Sequence, residues 1–114
     1  MDKILIYTDG SSRGNPGPGG FGAILMWAGK TKEIHEAYRK TTNNRMELLA
    51  VIVGLEKLKN PNMKVLVISD SKYVVDSIEK GWVFGWMQIG FKDKKNKDLW
   101  IQYLQQHKLH NVKF

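Results

Sequence analysis

The chain contains no cysteine, which excludes disulfides and thiolate-held metals and fits a reducing compartment such as the cytoplasm. No run approaches the roughly 20 apolar residues of a membrane span. The opening MDKILIYTDG has no small-residue cleavage site after its short apolar run, so neither an anchor nor a signal peptide is expected. Proline is scarce, and two of the three prolines fall in one glycine-rich stretch. Acidic residues are scarce towards the end: residues 80–114 hold Asp93 and Asp98 against seven lysines, while the rest of the chain is nearly balanced. The net charge of +7 therefore sits largely on a basic tail, which favours a polyanionic partner, most simply nucleic acid. A solvated lysine face that serves only solubility accounts for the same charge.

What is present is enough for one domain. The 114 residues are 42% hydrophobic and 25% charged, a profile of a globular chain rather than a disordered one. KILIYT (3–8) is apolar and β-rich, and Asp-Gly stops it. The glycine- and proline-rich segment 10–20 predicts a loop. FGAILMWAG (21–29) predicts a second strand and residues 30–42 a third, with Gly29-Lys30 between them suiting a hairpin. Connections this short predict an antiparallel meander. The period then changes: Thr42 or Asn43 can cap a helix running to Leu58, and NPN (60–62) ends it. KVLVISD (64–70) is near-continuously apolar, as in a parallel strand buried on both faces. A helix over 71–81, a short aromatic helix and basic loop over 82–97, a helix over 97–108 and a strand opening at 111–114 complete the pattern. No repeat, linker or low-complexity segment is present.

Asp9 ends the first apolar strand and Asp70 ends the second strongly apolar one. If those strands are parallel neighbours, both carboxylates leave the same edge of the sheet, where open α/β folds carry their sites. Glu47 shares a helical stripe with Val51, Leu55 and Leu58, so it points inward. A carboxylate there needs a hydrogen bond, a partner or a cation. Each residue also has an ordinary reading. Asp9 before Gly10 is a turn aspartate, Asp70 before Ser71 an N-cap, and Glu47 half of a capping box or a partner of Arg45 or Lys40. Together, three converging carboxylates call for a divalent ion, and with no cysteine and the histidines elsewhere an all-oxygen set favours Mg²⁺ or Mn²⁺ over zinc. Oxygen-bound Mg²⁺ beside a basic surface points to phosphoryl transfer on nucleic acid. GNPGPGG lacks the GK[ST] of a phosphate loop. It suits a close-approach turn that lets backbone and Asn15 reach a ligand, or a plain hairpin loop.

YTDGSSRGNPGPGGFGAIL, TTNNRMELLAVIVGL and ISDSKYVVDSI, in this order and spacing, resemble type 1 ribonuclease H over essentially the whole chain. GWVFGWMQIGFKDKKNKDLW is similar to the basic protrusion of the bacterial form, on the short side. The resemblance implies an α/β fold, a mixed five-stranded sheet with strands 1–3 antiparallel, strands 4 and 5 parallel, and helices on both faces. It implies a cytoplasmic endonuclease that hydrolyses the RNA strand of RNA–DNA hybrids, leaving 5′-phosphate and 3′-hydroxyl. Asp9, Glu47 and Asp70 would be the catalytic metal ligands, with Asp9 bridging two Mg²⁺ ions (Mn²⁺ being an alternative) about 4 Å apart. Asn15 and Asn43, with backbone around Ser11 and Ser12, would contact RNA 2′-hydroxyls. Thr42, with Lys40 and Asn96, would grip a phosphate of the DNA strand. Trp82 and Trp86 would line the DNA-strand groove, unless both are plain core. Lys92, Lys94, Lys95 and Lys97 would bind the backbone without regard to sequence.

The family continues into a segment of the form KGH-x-G-x-x-x-N-E-x-C-D, whereas this chain stops at Phe114. The expectation is a single domain, 1–114, truncated within its fifth strand, without the last helix, the fourth carboxylate or the loop histidine. His107 and His110 precede that point and cannot take the histidine's role. Impaired cleavage, and self-association or fragment complementation through the face the helix would cover, are expected in turn. Two other functions fit parts of the pattern: a non-catalytic hybrid- or duplex-binding module, and a small nucleotide-binding protein, the latter disfavoured by the missing phosphate-loop lysine.

Overall fold

Residues 3–114 are described by a computed structural model. The alternation of β-rich and helical periods resolves into β1 (Ile4–Ser12), β2 (Gly17–Trp27), β3 (Lys30–Thr41), α1 (Asn43–Glu56), β4 (Lys64–Ile68), α2 (Lys72–Glu79), α3 (Trp82–Gln88), α4 (Lys97–Leu109) and β5 (Asn111–Lys113). The strands form one sheet in the order β3-β2-β1-β4-β5. β1, β2 and β3 are antiparallel, and β4 runs parallel to both β1 and β5. This is the mixed five-stranded sheet that the family resemblance implies. Among the described residues no helix is long and apolar enough to cross a membrane.

Side chains directly paired across strands share a face. Ile4, Ile6, Ala23, Leu25, Val65, Val67 and Val112 lie on one face, all buried. They form a single cluster with Leu48, Val51, Ile52 and Leu55 of α1, Val74 and Ile78 of α2, Val83 of α3, and Leu99, Trp100 and Tyr103 of α4. The four helices thus cover the same face. Each fully buried aliphatic or aromatic side chain there stabilises the fold by roughly 1.5–3 kcal/mol. On the other face, Tyr7 stands opposite Ile24 and Ile68, and Leu5 opposite Met26 and Leu66. Tyr7, Met26 and Ile68 are 40%, 37% and 39% exposed. No helix covers this second face among the described residues.

The glycine-rich stretch corrects the sequence reading. Residues 10–20 are not a loop: β1 runs on through Ser12, β2 begins at Gly17, and Gly10, Ser11 and Ser12 pair with Phe21, Gly20 and Gly19. The turn is confined to 13–16, closed by the Arg13 N–H donating to the Pro18 carbonyl at 2.7 Å. The physical reason is close approach. A β-carbon on Gly10 would lie 2.5 Å from the Met46 carbonyl carbon and 2.6 Å from the Glu47 nitrogen, so only glycine lets α1 press its first turns onto β1. The second hairpin turns through Ala28 and Gly29, both at positive φ (46° and 76°), one residue earlier than Gly29-Lys30.

Helix boundaries follow their caps. Thr42 Oγ1 accepts from the Arg45 N–H at 3.2 Å and opens α1. Ser71 Oγ accepts from the Val74 N–H at 3.2 Å and opens α2, so Ser71, not Asp70, is its N-cap. β4 ends at Ile68, two residues short of the predicted Asp70, because the parallel pairing with β1 stops at Tyr7 and Ile68.

Candidate active site

β1 and β4 part at the pair Tyr7–Ile68, and Asp9 and Asp70 each stand two residues beyond it. Both therefore leave the same carboxyl edge of the sheet. Asp9 remains in a strand, paired with Gly22 of β2, which removes the turn-aspartate reading. Glu47 arrives from the opposite side, on the second turn of α1. One oxygen from each of Asp9, Glu47 and Asp70 lies within 4.8 Å of the others.

The environments of the three differ. Glu47 is 5% exposed, whereas Asp9 and Asp70 are exposed. Glu47 Oε1 accepts from the Gly10 N–H at 2.6 Å. The capping-box alternative fails because the third residue of α1 is Arg45, which donates its backbone N–H to Thr42. The Arg45 side chain is also committed elsewhere, pairing with Asp98 at 2.7 Å. Glu47 is thus a buried carboxylate with one backbone donor and two carboxylate neighbours. Burial pushes its pKa up to about 7; the Gly10 hydrogen bond opposes this, and Asp70 and Asp9 add to it. Among the described residues no ion pair neutralises this set, and three hard oxygens would suit a divalent ion such as Mg²⁺ or Mn²⁺.

The carboxylates open into a cleft of about 420 Å³ that Asn43, Asn44, Lys72 and Tyr73 also line. Asn43 Oδ1 accepts from the Ser12 N–H at 3.2 Å, which ties the start of α1 to the end of β1. Ser12 Oγ donates to the Gly14 carbonyl at 2.8 Å, and Ser11 and Asn15 stand exposed beside the turn. Of the residues expected to read the RNA strand, Asn43 is thus in the carboxylate cleft. Ser11 and Ser12 line a neighbouring hollow with Arg13.

A second cluster joins α1, α2 and α4. Arg45 holds Asp98 through two parallel bonds (Nη1–Oδ1 3.0 Å and Nη2–Oδ2 2.7 Å), and Nη1 also donates to Asn96 Oδ1 at 3.2 Å. The pairing holds the Asp98 carboxyl below its ordinary range and raises the Arg45 guanidinium. Asn96 Nδ2 donates to the Tyr73 hydroxyl at 3.2 Å, which also accepts from Trp100 Nε1 at 2.8 Å. Asn96 sits in left-handed geometry (φ 65°) at the start of α4. Arg45 links Thr42 to Asn96, through its backbone N–H to one and its guanidinium to the other. Lys40 is exposed near the end of β3.

The aromatic residues divide. Trp82 is 47% exposed, with the Lys80 ammonium 5.5 Å from its ring centre. Trp86 is half-buried, edge-on to Trp100 at 6.0 Å, with Lys94 Nζ 5.2 Å from its ring centre. It is part core and part surface. Lys92, Lys94, Lys95 and Lys97 are all exposed on or beside the segment joining α3 to α4.

Sequence reasoning missed Tyr73 and the link through Arg45, whose partners lie 23 to 53 residues away along the chain. It also set His35 aside. His35 pairs with Gly22, which pairs with Asp9, and with Asp9 it lines an open hollow of about 580 Å³. His107 and His110 are taken up locally, by Tyr103 Oη at 2.9 Å and the Met63 N–H at 3.3 Å.

The sequence model of the RNase H family matches residues 1–114. The chain is 50% identical over 119 aligned residues to a ribonuclease H of Desulforamulus reducens, covering all of this chain and 74% of that protein. It is 48% identical to a ribonuclease H of Oleidesulfovibrio alaskensis, again over all of this chain and 77% of the other. Among solved structures, LC9-RNase H1, a type 1 RNase H with the type 2 active-site motif, superposes with a TM-score of 0.85 at 32% identity. That match covers 99% of this chain, which spans 61% of the length of LC9-RNase H1. LC11-RNase H1, solved in complex with RNA/DNA hybrid, gives a TM-score of 0.68 at 29% identity, over 96% of this chain and 83% of that one.

Proposed function

The chain belongs to the ribonuclease H family, among its type 1, bacterial-like members, and on that premise we propose that it hydrolyses the RNA strand of RNA–DNA hybrids with two divalent ions. The observation that carries the reading is the cluster of Asp9, Glu47 and Asp70 within 4.8 Å, with the buried Glu47 in no ion pair among the described residues. Bound divalent ions, Mg²⁺ foremost, would supply Lewis acidity to the attacking water and to the departing 3′-oxygen.

The chain's own residues do the rest. Asp9, at the open edge between β1 and β4, would be shared between the two ions, and Glu47 and Asp70 would complete the ligand set. The Gly10 N–H fixes the Glu47 carboxylate in one orientation. Three carboxylates would hold a second ion only weakly, so cleavage by these residues alone is expected to be slow. Asn43 and the backbone near Ser11 and Ser12 face the RNA strand, where 2′-hydroxyls distinguish RNA from DNA. The Thr42 hydroxyl, which accepts from Arg45, keeps its own proton to donate to a phosphate oxygen. Asn96 keeps one amide hydrogen for the same phosphate. Trp82 and the outer face of Trp86 are offered to the DNA strand, and Lys92, Lys94, Lys95 and Lys97 to the backbone at large. The sheet face of Tyr7, Met26 and Ile68, which no helix covers among the described residues, would favour association between copies.

The test is cleavage of an end-labelled RNA–DNA hybrid with and without Mg²⁺, using Asp9→Asn as the control. Metal-dependent cutting of the RNA strand, abolished in the variant, is expected. Tight hybrid binding without any cutting assigns the chain instead to a non-catalytic hybrid-binding role.

A further inference from the structure

Asp9 and Gly10 border two openings: the carboxylate cleft, and the hollow of about 580 Å³ that also reaches His35. Asp9 pairs with Gly22 and Gly22 with His35, so the three form one row across β1, β2 and β3. Ser11, Gly20 and Ala37 form the next row on the same face of the sheet. β2 therefore puts no side chain between Asp9 and His35, which stand two strand spacings apart, roughly 10 Å. The His35 ring leans into that gap. A β-carbon on Gly22 would lie 3.3 Å from its Nδ1 and 3.6 Å from its Cε1, so this edge of the ring lies over β2. His35 is exposed and, among the described residues, in no ion pair. Glu36 also borders the hollow, but its carboxylate accepts from the Tyr38 hydroxyl at 3.0 Å, and it pairs with Phe21, on the other face.

Building on the hybrid-cleaving function above, we propose that His35 is a substrate-binding residue whose imidazole donates a hydrogen bond to the RNA phosphate adjoining the one that is cut. A strand cut at Asp9 has the cleft with Asn43 to one side and this hollow to the other. The scissile phosphate would share the ions of the carboxylates, whereas the next phosphate on this side would meet Asp9 without that compensation. Among the described residues no lysine or arginine lines the hollow, so the imidazole, beside the exposed Ser11 hydroxyl, is the donor within reach. An imidazole carries at least one N–H donor in either protonation state, and a hydrogen bond to a charged oxygen is about twice as strong as a neutral one. His35 also stands outside the group of oxygens, from Asp9, Glu47 and Asp70, that lie within 4.8 Å of one another. Its partner is therefore the substrate and not the ion.

The test pairs His35→Ala with short hybrids whose few ribonucleotides fix the register, one phosphate at a time being a neutral methylphosphonate. Binding is followed by fluorescence anisotropy in chelator, and cleavage on gels with Mg²⁺. His35→Ala is expected to weaken binding of the unmodified hybrid roughly tenfold. Its urea midpoint should be unchanged, because the side chain is exposed. His35→Gln, which keeps an N–H donor, should restore most of the affinity. At one phosphate adjoining the cut, the methylphosphonate should weaken the wild-type protein by the same factor and the alanine variant no further; elsewhere the two losses should multiply. Full affinity in His35→Ala, or losses that multiply at every phosphate, overturns the proposal. A His35 effect that vanishes with a 2′-deoxy sugar and not with a methylphosphonate assigns the ring to a ribose and overturns it equally. Loss of cutting with the His35 pattern in binding intact counts against the proposed function alone, whereas the absence of any hybrid binding ends both.

Discussion

Gly10 donates its backbone N–H to Glu47 across 2.6 Å, and it can do so because it has no side chain: a β-carbon there would lie 2.5 Å from the Met46 carbonyl carbon. The same contact joins the strand that carries Asp9 to the helix that carries Glu47.

Gly10→Ala is accordingly expected to push α1 off β1, costing about 1–3 kcal/mol of stability or more and separating Glu47 from Asp9. Urea denaturation should show the lower midpoint, and calorimetric titration with Mg²⁺ the weakened binding. Wild-type metal affinity in the alanine variant would refute the close-approach account.

The raised Glu47 pKa, about 7, sets a pH dependence. A cation requires the ionised form, so Mg²⁺ affinity is expected to fall as pH drops through 7. In metal-free protein the sign of the stability effect is opposite. A carboxyl whose folded pKa exceeds its unfolded one, 4.5, contributes stability at low pH that is lost as pH rises from about 4.5 to 7. Glu47→Gln keeps an acceptor for the Gly10 N–H and removes the charge. It should flatten both profiles, abolish cleavage and make the metal-free protein more resistant to heat at pH 8. Thermal melts with and without chelator check this.

Arg45→Met removes the hold on Asn96 and Asp98. Because the pair is exposed at the Asp98 end, its loss should move stability by less than about 1 kcal/mol. Hybrid affinity should fall several-fold, appearing as a raised KM with little change in kcat. A large drop in melting temperature with unchanged KM would make Arg45 a structural residue only.

Alanine at Lys92, Lys94, Lys95 and Lys97 tests the basic segment. Each lysine that meets a phosphate should reduce the slope of log affinity against log salt by roughly 0.7–0.9. A slope unchanged by all four substitutions would exclude the segment from binding.

The open sheet face predicts association. Sedimentation velocity should show a concentration-dependent species above the monomer, and Met26→Lys should reduce it while leaving cleavage intact. A monomer at every concentration would rule this out.

The carboxylates were legible in the sequence because each rests on a local signal. Asp9 and Asp70 close apolar runs, and Glu47 lies on the helical stripe with Val51 and Leu55, both buried as that stripe requires. The antiparallel meander of β1 to β3 followed from connection lengths, whereas the five-stranded mixed sheet came with the family resemblance. The glycine stretch was misread because its composition is that of a turn, while its glycines are set by a neighbour: Gly10 is small because Met46 and Glu47 press on it from 36 and 37 residues away. The Tyr73–Asn96–Arg45 chain left no local mark either, since each of those residues suits its own element without the others.

Arg45 and Glu47, two residues apart on α1, face different partners: Asp98 and Asn96 of the α4 end for one, Gly10 of β1 for the other. That single turn of helix acts as a ruler. In the proposed reading it sets the offset between the point where one nucleic-acid strand is gripped and the point where the other is cut. Neither end of the ruler can be moved by loop variation alone, so relatives that cut at a different offset should differ in the first turns of this helix rather than in the loops around it.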